Sequence, residues 1–289
     1  MRTVKTHFGE LHVQEGIVPV DFTNIPIIDL SNLDSPDLAS RQPHGIPPEK
    51  VTAMHEAAQA FFALPHEQKM EYYLGKSNVS APSQHAHFWP DDDVLPGLQA
   101  TYLEYFRECV TLSRKLLRIF ALSLGLDEGY FDKFVTYPGC MSRILHYPPQ
   151  PVPGEERVGI EAHTDFECFT ILSQDSVPAL QVLNSSNQWV TATPIPDTLV
   201  VNVGDFMSFW TGGKFRLIVH RVTNLTGENR YSVPFFFGVN YDATVEVLPS
   251  CVAEDGKGER RSVKAGQYVR DRLSKSYIGF GEAETKPEP

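Results

Sequence analysis

Residues 159–172 read GIEAHTDFECFTIL, and this stretch carries both the fold and a metal-ligand signal. Its second half, continuing to Gln174, is a short apolar run with β-branched residues, the pattern of a buried strand. Its first half holds His163-x-Asp165. On a β-strand, residues i and i+2 point the same way, so these two side chains would address one point about 5–7 Å apart along the strand.

Working outward, short strand-like runs fill the chain from Met141 to Leu248: 141–147, 158–164, 169–174, 179–183, 188–192, 199–203, 206–210, 216–223 and 231–239. Turn signals at NSSNQ, IPD, TGGK and TGEN separate several of them. Many short strands with punctuating turns predict an α+β protein with a mainly β core, a double-stranded β-helix (jelly roll) with supporting helices.

The helices lie on either side of this region. PPEKVTAMHEAAQAFFALP reads as an amphipathic helix, with Pro47 and Pro48 in its first turn and Pro65 closing it. The longest helix is predicted over 98–124, with Leu98, Tyr102, Phe106, Cys109, Leu116, Phe120 and Leu124 on its packing face and Gly125 as its stop. A last helix is expected over 263–278, and NIPIIDL is expected to be a first strand. The chain divides into a loop-rich N-terminal region, 1–95, and a part holding the long helix, the β core and the last helix, 96–289; together they form one structural domain.

His220 lies 55 residues beyond Asp165 in another strand-like run, and Arg230-x-Ser232 follows. Two histidines and one carboxylate are the set that holds ferrous iron on one face and leaves the other open. Arg230 and Ser232, again at i and i+2, share one strand face, where a guanidinium with a neighbouring hydroxyl suits a carboxylate. A lone H-x-D has little weight in a chain with 10 histidines; its coincidence with His220 and R-x-S carries the reading. His85, His87 and His146 lack partners at metal spacing, and Asp91, Asp92 and Asp93 read as a solvated loop.

RILHYPP (143–149), GIEAHTDFECFTIL, ALQVLN (179–184), VVNVGD (200–205), HRVTN (220–224) and RYSVPFFF (230–237) together resemble the core of the iron(II)- and 2-oxoglutarate-dependent dioxygenases of the isopenicillin-N-synthase-like type. The resemblance covers about a third of the chain closely, and IPIIDLS, HGIP and WPDDDVLPG more loosely. It implies that His163, Asp165 and His220 bind Fe(II), and that Arg230 and Ser232 hold the far carboxylate of 2-oxoglutarate, with Tyr147 as a further co-substrate contact. Dioxygen would be the oxidant. The implied outcome is decarboxylation to succinate with oxidation of an unactivated C–H bond in a small organic molecule of specialised metabolism. Leu145 stands where many relatives carry Asn. Phe209, Trp210 and Phe236 are candidates for lining the substrate pocket or for the core. Two other readings stay open: an iron oxidase of the same fold that uses no 2-oxoglutarate, and a non-catalytic ligand-binding relative.

The same comparison shows departures. Relatives carry a helix and a strand between IPIIDLS and HGI, but only twelve residues, Asn32 to Pro43, stand there in this chain. A Gly-Tyr loop between YYLGKS and HFWP is also short. Faces left uncovered by these losses favour self-association.

With 25 Lys and Arg against 36 Asp and Glu, the net charge of −11 argues against nucleic acid or an anionic membrane as partner. Cys109, Cys140, Cys168 and Cys251 are scattered without a C-x-x-C pair, as in reduced intracellular proteins, and Cys168 reads as core filler. The first residues have no apolar signal region, so a cytoplasmic location is expected.

Overall fold

The computed structural model describes residues 2–6, 9–13, 25–30, 44–72, 89–149, 159–184, 186–252 and 262–276. A hairpin of β1 (Arg2–Thr6) and β2 (Gly9–Val13) comes first, pairing Arg2 with Val13. Helices α1 (Pro48–Ala63), α2 (His66–Glu71) and α3 (Leu98–Ser123) follow. Then come β3 (Cys140–Ser142), β4 (Leu145–Tyr147), β5 (Ile160–His163), β6 (Phe169–Gln174), β7 (Leu180–Leu183), β8 (Trp189–Thr191) and β9 (Val200–Val203). Helix α4 (Asp205–Trp210) separates these from β10 (His220–Val222) and β11 (Arg230–Phe237). The last elements are β12 (Thr244–Glu246), β13 (Ser262–Lys264) and α5 (Ala265–Ser276).

Two antiparallel sheets form the jelly roll. One has the order β5-β10-β7-β8, and the other β3-β11-β6-β9 with β4 also paired to β11. Strand β11 shows how sequence period sets the layers. Arg230, Ser232, Pro234 and Phe236 face the cavity between the sheets, while Val233, Phe235 and Phe237 face the helices. On β6, Thr170 and Leu172 face the cavity, and Phe169 and Ile171 the helix side. On that side Met54 of α1, Tyr105, Cys109 and Leu117 of α3, and Ala265, Tyr268 and Val269 of α5 share one core with these strands. Each such buried aromatic or aliphatic side chain stabilises the fold by about 1.5–3 kcal/mol relative to exposure.

Strands β3 and β4 are one extended run interrupted at Arg143 and Ile144, where a single strand over 141–147 was expected. Pro234 stands opposite Arg143. Its carbonyl accepts the Arg143 N–H at 3.1 Å, but proline has no N–H to return the second bond of the pair.

Both longer helices end as their sequence dictates. Leu64, the residue before Pro65, is extended (φ −56°, ψ 148°), which stops α1. At the end of α3, Gly125 adopts φ 70°; its N–H reaches Leu122 O, and the Leu126 N–H reaches Ala121 O at 3.0 Å. The burial stripe of α3 is centred on Tyr105, Cys109, Leu112 and Leu117, so Tyr102, Phe106, Leu116, Phe120 and Leu124 flank it half-buried. Each of the four expected turns contains a residue at positive φ: Asn187, Asp197, Gly212 with Gly213, and Gly227.

Four further expectations need correction. Residues 263 and 264 belong to β13, so the last helix starts at Ala265 and not at Val263. Residues 206–210 are helix α4, not a strand: four of the five residues of FMSFW are apolar and four are buried, and so short a run has no period that tells helix from strand. Residues 25–30 form no strand; Ile27 and Ile28 are each 70% exposed, and Pro26 lacks a ladder donor. Residues 216–219 precede β10 rather than forming part of it. The shortened segments around 32–43 and 75–88 lie outside the described residues, as do His85 and His87.

Helix α5 is tied to α4 by a buried ion pair. The Tyr268 hydroxyl donates to Asp205 Oδ2 at 3.0 Å, and Arg272 Nη2 lies 3.3 Å from the same oxygen. Asp205 is fully buried, so removing its cation leaves a carboxylate in a medium that cannot solvate it. We expect Arg272→Ala to cost about 3–5 kcal/mol in denaturant unfolding, and the pair Asp205→Asn with Arg272→Met to cost much less. Equal losses would show that the ion pair is not what docks α5.

Candidate active site

His163 is the last residue of β5 and His220 the first of β10, and the antiparallel register sets them directly opposite each other. Their rings are 4.3 Å apart between centroids. Asp165 does not continue β5, as a shared strand face would require; it sits in the turn beyond it. That turn is held by main-chain bonds. Asp205 N–H donates to Asp165 O at 2.8 Å, Gly204 N–H to Cys168 O at 2.9 Å, and Cys168 N–H to Phe237 O at 2.9 Å. A Cβ on Gly204 would lie 2.3 Å from Glu167 O, so only glycine lets this turn close.

The result is a three-point cluster. Asp165 Oδ1 lies 3.8 Å from His163 Nε2 and 3.7 Å from His220 Nε2, and the three ligand atoms fall within 4.8 Å of one another. It is the only such group of His, Cys, Asp or Glu among the described residues. The outer atoms are already engaged. His163 Nδ1 meets Glu161 O at 2.7 Å and His220 Nδ1 meets Ile218 O at 3.1 Å, which places the proton on Nδ1 and turns each Nε2 inward as an acceptor. Asp165 Oδ2 accepts from the Thr170 hydroxyl and, at 2.7 Å, from Asn202 Nδ2, leaving Oδ1 to face the histidines. Burial, then the neighbouring His220, pushes His163 down to about 4, so it stays neutral, as a ligand must. Burial alone would raise the Asp165 carboxyl, but the two histidines and the two donors hold it below the usual range. Donor set, tautomers and charge all fit a divalent iron.

At one end of the same cavity, of about 70 Å³, stand Arg230, Ser232 and Tyr147. Arg230 is fully buried. Its Nη1 reaches Ser232 Oγ at 3.2 Å, its Nη2 reaches Gln174 Oε1 at 3.3 Å, and its Nε has no partner. The guanidinium lies 5.1 Å from the centre of the Tyr147 ring. A buried cation whose hydrogen-bond partners are all neutral is the electrostatic complement of a carboxylate. Leu145 also lines the cavity, as does Phe236; Trp210 lies in the helix-side core, and Phe209 is outside the lining. His146 is bonded to Asn229 and stacked on Tyr231, and Asp91 to Asp93 are exposed. Cys168 is packed in the core.

Several contributors escaped the sequence reading. Asn202 and Thr170 orient Asp165 from strands that only the fold brings near. Gln174 supports Arg230 from across the sheet. Glu167, two residues past Asp165, is buried with one oxygen unpartnered, and burial, followed by the Asp165 charge, lifts its carboxyl to about 8. A carboxylate in H-x-D-x-E was visible, but nothing in the sequence shows it turning inward.

Residues 138–239 match the 2OG-Fe(II) oxygenase superfamily, and residues 41–89 match the N-terminal family described as non-haem dioxygenase in morphine synthesis. The chain is 43% identical over 189 residues to the 2-oxoglutarate-Fe(II) type oxidoreductase ppzC of Metarhizium majus, covering 63% of this chain and 50% of that protein. It therefore spans about half the length of that relative. Identity is 32% over 292 aligned positions to the 2-oxoglutarate-Fe(II) type oxidoreductase hxnY of Emericella nidulans, covering 84% of this chain and 82% of that one. The structure superposes on full-length Neurospora crassa T7H in complex with alpha-KG and thymine with a TM-score of 0.70 at 27% identity, covering 81% of this chain and 85% of that chain.

If these atoms form a metal site, His163→Ala and Asp165→Ala should each reduce Fe(II) affinity by orders of magnitude with the fold retained, and Asn202→Ala should weaken it by about 10–100-fold. His146→Ala should leave it unchanged. Iron stoichiometry by elemental analysis after dialysis decides, and unaltered binding in both ligand variants would remove the assignment.

Proposed function

Since the chain belongs to the 2OG-Fe(II) oxygenase superfamily, we propose that it is an iron(II)- and 2-oxoglutarate-dependent oxygenase acting on an unactivated C–H bond of a small organic molecule. One atom of dioxygen would enter the oxidised substrate or leave as water, and the other would enter succinate as carbon dioxide is lost. The observation that carries this reading is the buried Arg230, whose partners are neutral, in the same cavity as the His163–Asp165–His220 cluster. A ligand with one chelating end and one distant carboxylate satisfies both ends at once.

In this reading His163, Asp165 and His220 hold the iron, and Arg230 with Ser232 grips the far carboxylate of 2-oxoglutarate. Tyr147 walls that end and keeps water from the guanidinium. Iron and 2-oxoglutarate, when bound, supply the activation of dioxygen. The apolar lining, including Leu172, Leu180, Val182 and Val222, excludes water from the reacting centre. A small-molecule substrate is supported by the thymine bound to the T7H neighbour, and a specialised metabolite is the reading we attach to the fungal oxidoreductase relatives. A cytoplasmic setting is supported by four free cysteines. Among the described residues, no helix is long and apolar enough to cross a membrane.

Self-association is part of the proposal, supported by Ile27 and Ile28, each 70% exposed on a segment that forms no strand. Sedimentation velocity across a hundredfold concentration range should show a rising average mass, which Ile27→Lys with Ile28→Lys suppresses. A concentration-independent monomer would end this part.

Arg230→Leu should abolish measurable 2-oxoglutarate binding yet retain iron, because it removes a charge-assisted contact worth about 2–5 kcal/mol, a loss of at least about thirtyfold in affinity. Anaerobic titration of the iron-loaded protein, followed by the visible charge-transfer band of the chelate, reads this directly. Oxygen consumption with a carboxylate substrate and no succinate would favour the oxidase reading instead. No uptake of iron or 2-oxoglutarate would favour a non-catalytic relative.

A further inference from the structure

Arg230 is held by its neighbours without being neutralised by them. Gln174 stands opposite Ser232 in the register of β6 and β11, and its Oε1 accepts from Arg230 Nη2 at 3.3 Å. Its Nε2 donates to Ala192 O at 3.4 Å, just beyond β8 of the other sheet, and the Ala192 N–H donates to Leu180 O at 2.8 Å. The orientation of this amide follows from chemistry. A guanidinium only donates and a carbonyl only accepts, so the amide oxygen must face Arg230 and the nitrogen Ala192. One side chain thus ties the guanidinium to both sheets.

The next residue carries the charge that Gln174 lacks. Asp175 is turned to the backbone: its Oδ2 accepts the Tyr231 N–H, and its Oδ1 the Val177 N–H at 2.9 Å. Both oxygens are committed to main-chain donors rather than to Arg230, and burial of the guanidinium outweighs the support this charge gives it. Contact and charge are therefore split over adjacent positions, with an amide touching the guanidinium and a carboxylate kept off it. Glutamate has the shape of glutamine with an oxygen in place of the amide nitrogen. At position 174 it would put a permanent carboxylate on Nη2, and an arriving carboxylate would have to displace it.

We propose that Gln174 is a positioning residue whose neutrality keeps Arg230 open to the far carboxylate of the co-substrate, and so sets the preference for 2-oxoglutarate over 2-oxo acids that lack this group. The proposal rests on the co-substrate reading of Arg230 above. Gln174 acts through Arg230: its oxygen fixes where the fork points, and its lack of charge leaves the cation to the ligand.

The probes are 2-oxoglutarate and 2-oxopentanoate, which has the same chelating end and a methyl group in place of the far carboxylate. Each is titrated anaerobically into the iron-loaded full chain and followed by the visible charge-transfer band. The wild type should prefer 2-oxoglutarate by at least about thirtyfold. Gln174→Glu, which keeps an acceptor for Nη2, should bring the two probes to near parity, with iron retained and 2-oxopentanoate affinity unchanged. Gln174→Met, which loses both hydrogen bonds and adds no charge, should keep an intermediate preference. A purely structural prop would order the two variants the other way, because the methionine removes more contacts. The proposal is overturned if Gln174→Glu retains the wild-type preference, or if Gln174→Met loses as much as Gln174→Glu. Should Gln174→Glu fail to fold, Gln174→Met decides alone: an intermediate preference supports the proposal, and an unchanged or abolished one overturns it. A wild type without preference removes the co-substrate reading of Arg230 and this one together. A preference that Arg230→Leu abolishes and Gln174→Glu preserves removes this one alone.

Discussion

The turn from Thr164 to Cys168 is the constraint on which the site depends. Strand pairing brings His163 and His220 face to face, but two imidazoles alone do not make a selective iron site. The third ligand comes from a residue that has left the strand, and its position is set by backbone rather than by side-chain packing. Asp205 N–H and Gly204 N–H fasten the turn from one side, and Phe237 O from the other. The same Asp205 anchors α5 through Tyr268 and Arg272, and the Arg272 guanidinium lies 4.5 Å from the Phe166 ring within the turn. Helix α4, the C-terminal helix and the metal turn thus share one hydrogen-bonded unit. A displacement of Asp165 by 1 Å would require breaking several of these bonds together.

Desolvation does the rest. Arg230 is costly in a dry cavity: its hydrogen bonds to Ser232 and Gln174 are neutral, and the charge of Asp175 offsets only part of its burial. That deficit is recovered when a carboxylate arrives, so the fold stores affinity for an anion at a fixed distance from the metal cluster. The helix-side core makes this possible: Phe235 and Phe237 alternate with Ser232, Pro234 and Phe236, so the strand that carries the guanidinium is also the one most firmly packed.

Much of this was legible in the sequence where one local rule decides the outcome. Short apolar runs bounded by turn signals gave β6 and β11, the Pro-flanked run gave α1, and each turn signal met a residue at positive φ. Candidate ligands could be named because H-x-D, a later His and R-x-S specify chemical types, and the structure brings the first three together. What escaped depends on long-range pairing. Asn202 and Thr170 meet Asp165 only after β6 and β9 pair beside the metal turn. The α4 run carries no periodicity because it is short and nearly all of it is buried. The expectation that His163 and Asp165 share a strand face failed since β5 ends at His163, one residue too soon for the rule to apply. IPIIDL reads as a strand by composition, but a strand needs a ladder partner, and among the described residues none stands beside it.

Pro234 links these levels. Placed in a central strand, it deletes one ladder donor, and the β3–β4 run opens at Arg143 and Ile144. Arg143 N–H still donates to Pro234 O, but that proline cannot return the second bond of the pair. Arg230, in contrast, stands where the ladder is intact and its guanidinium is fixed by Ser232 and Gln174. A single proline in β11 thus leaves the ladder open at Arg143 and closed at Arg230.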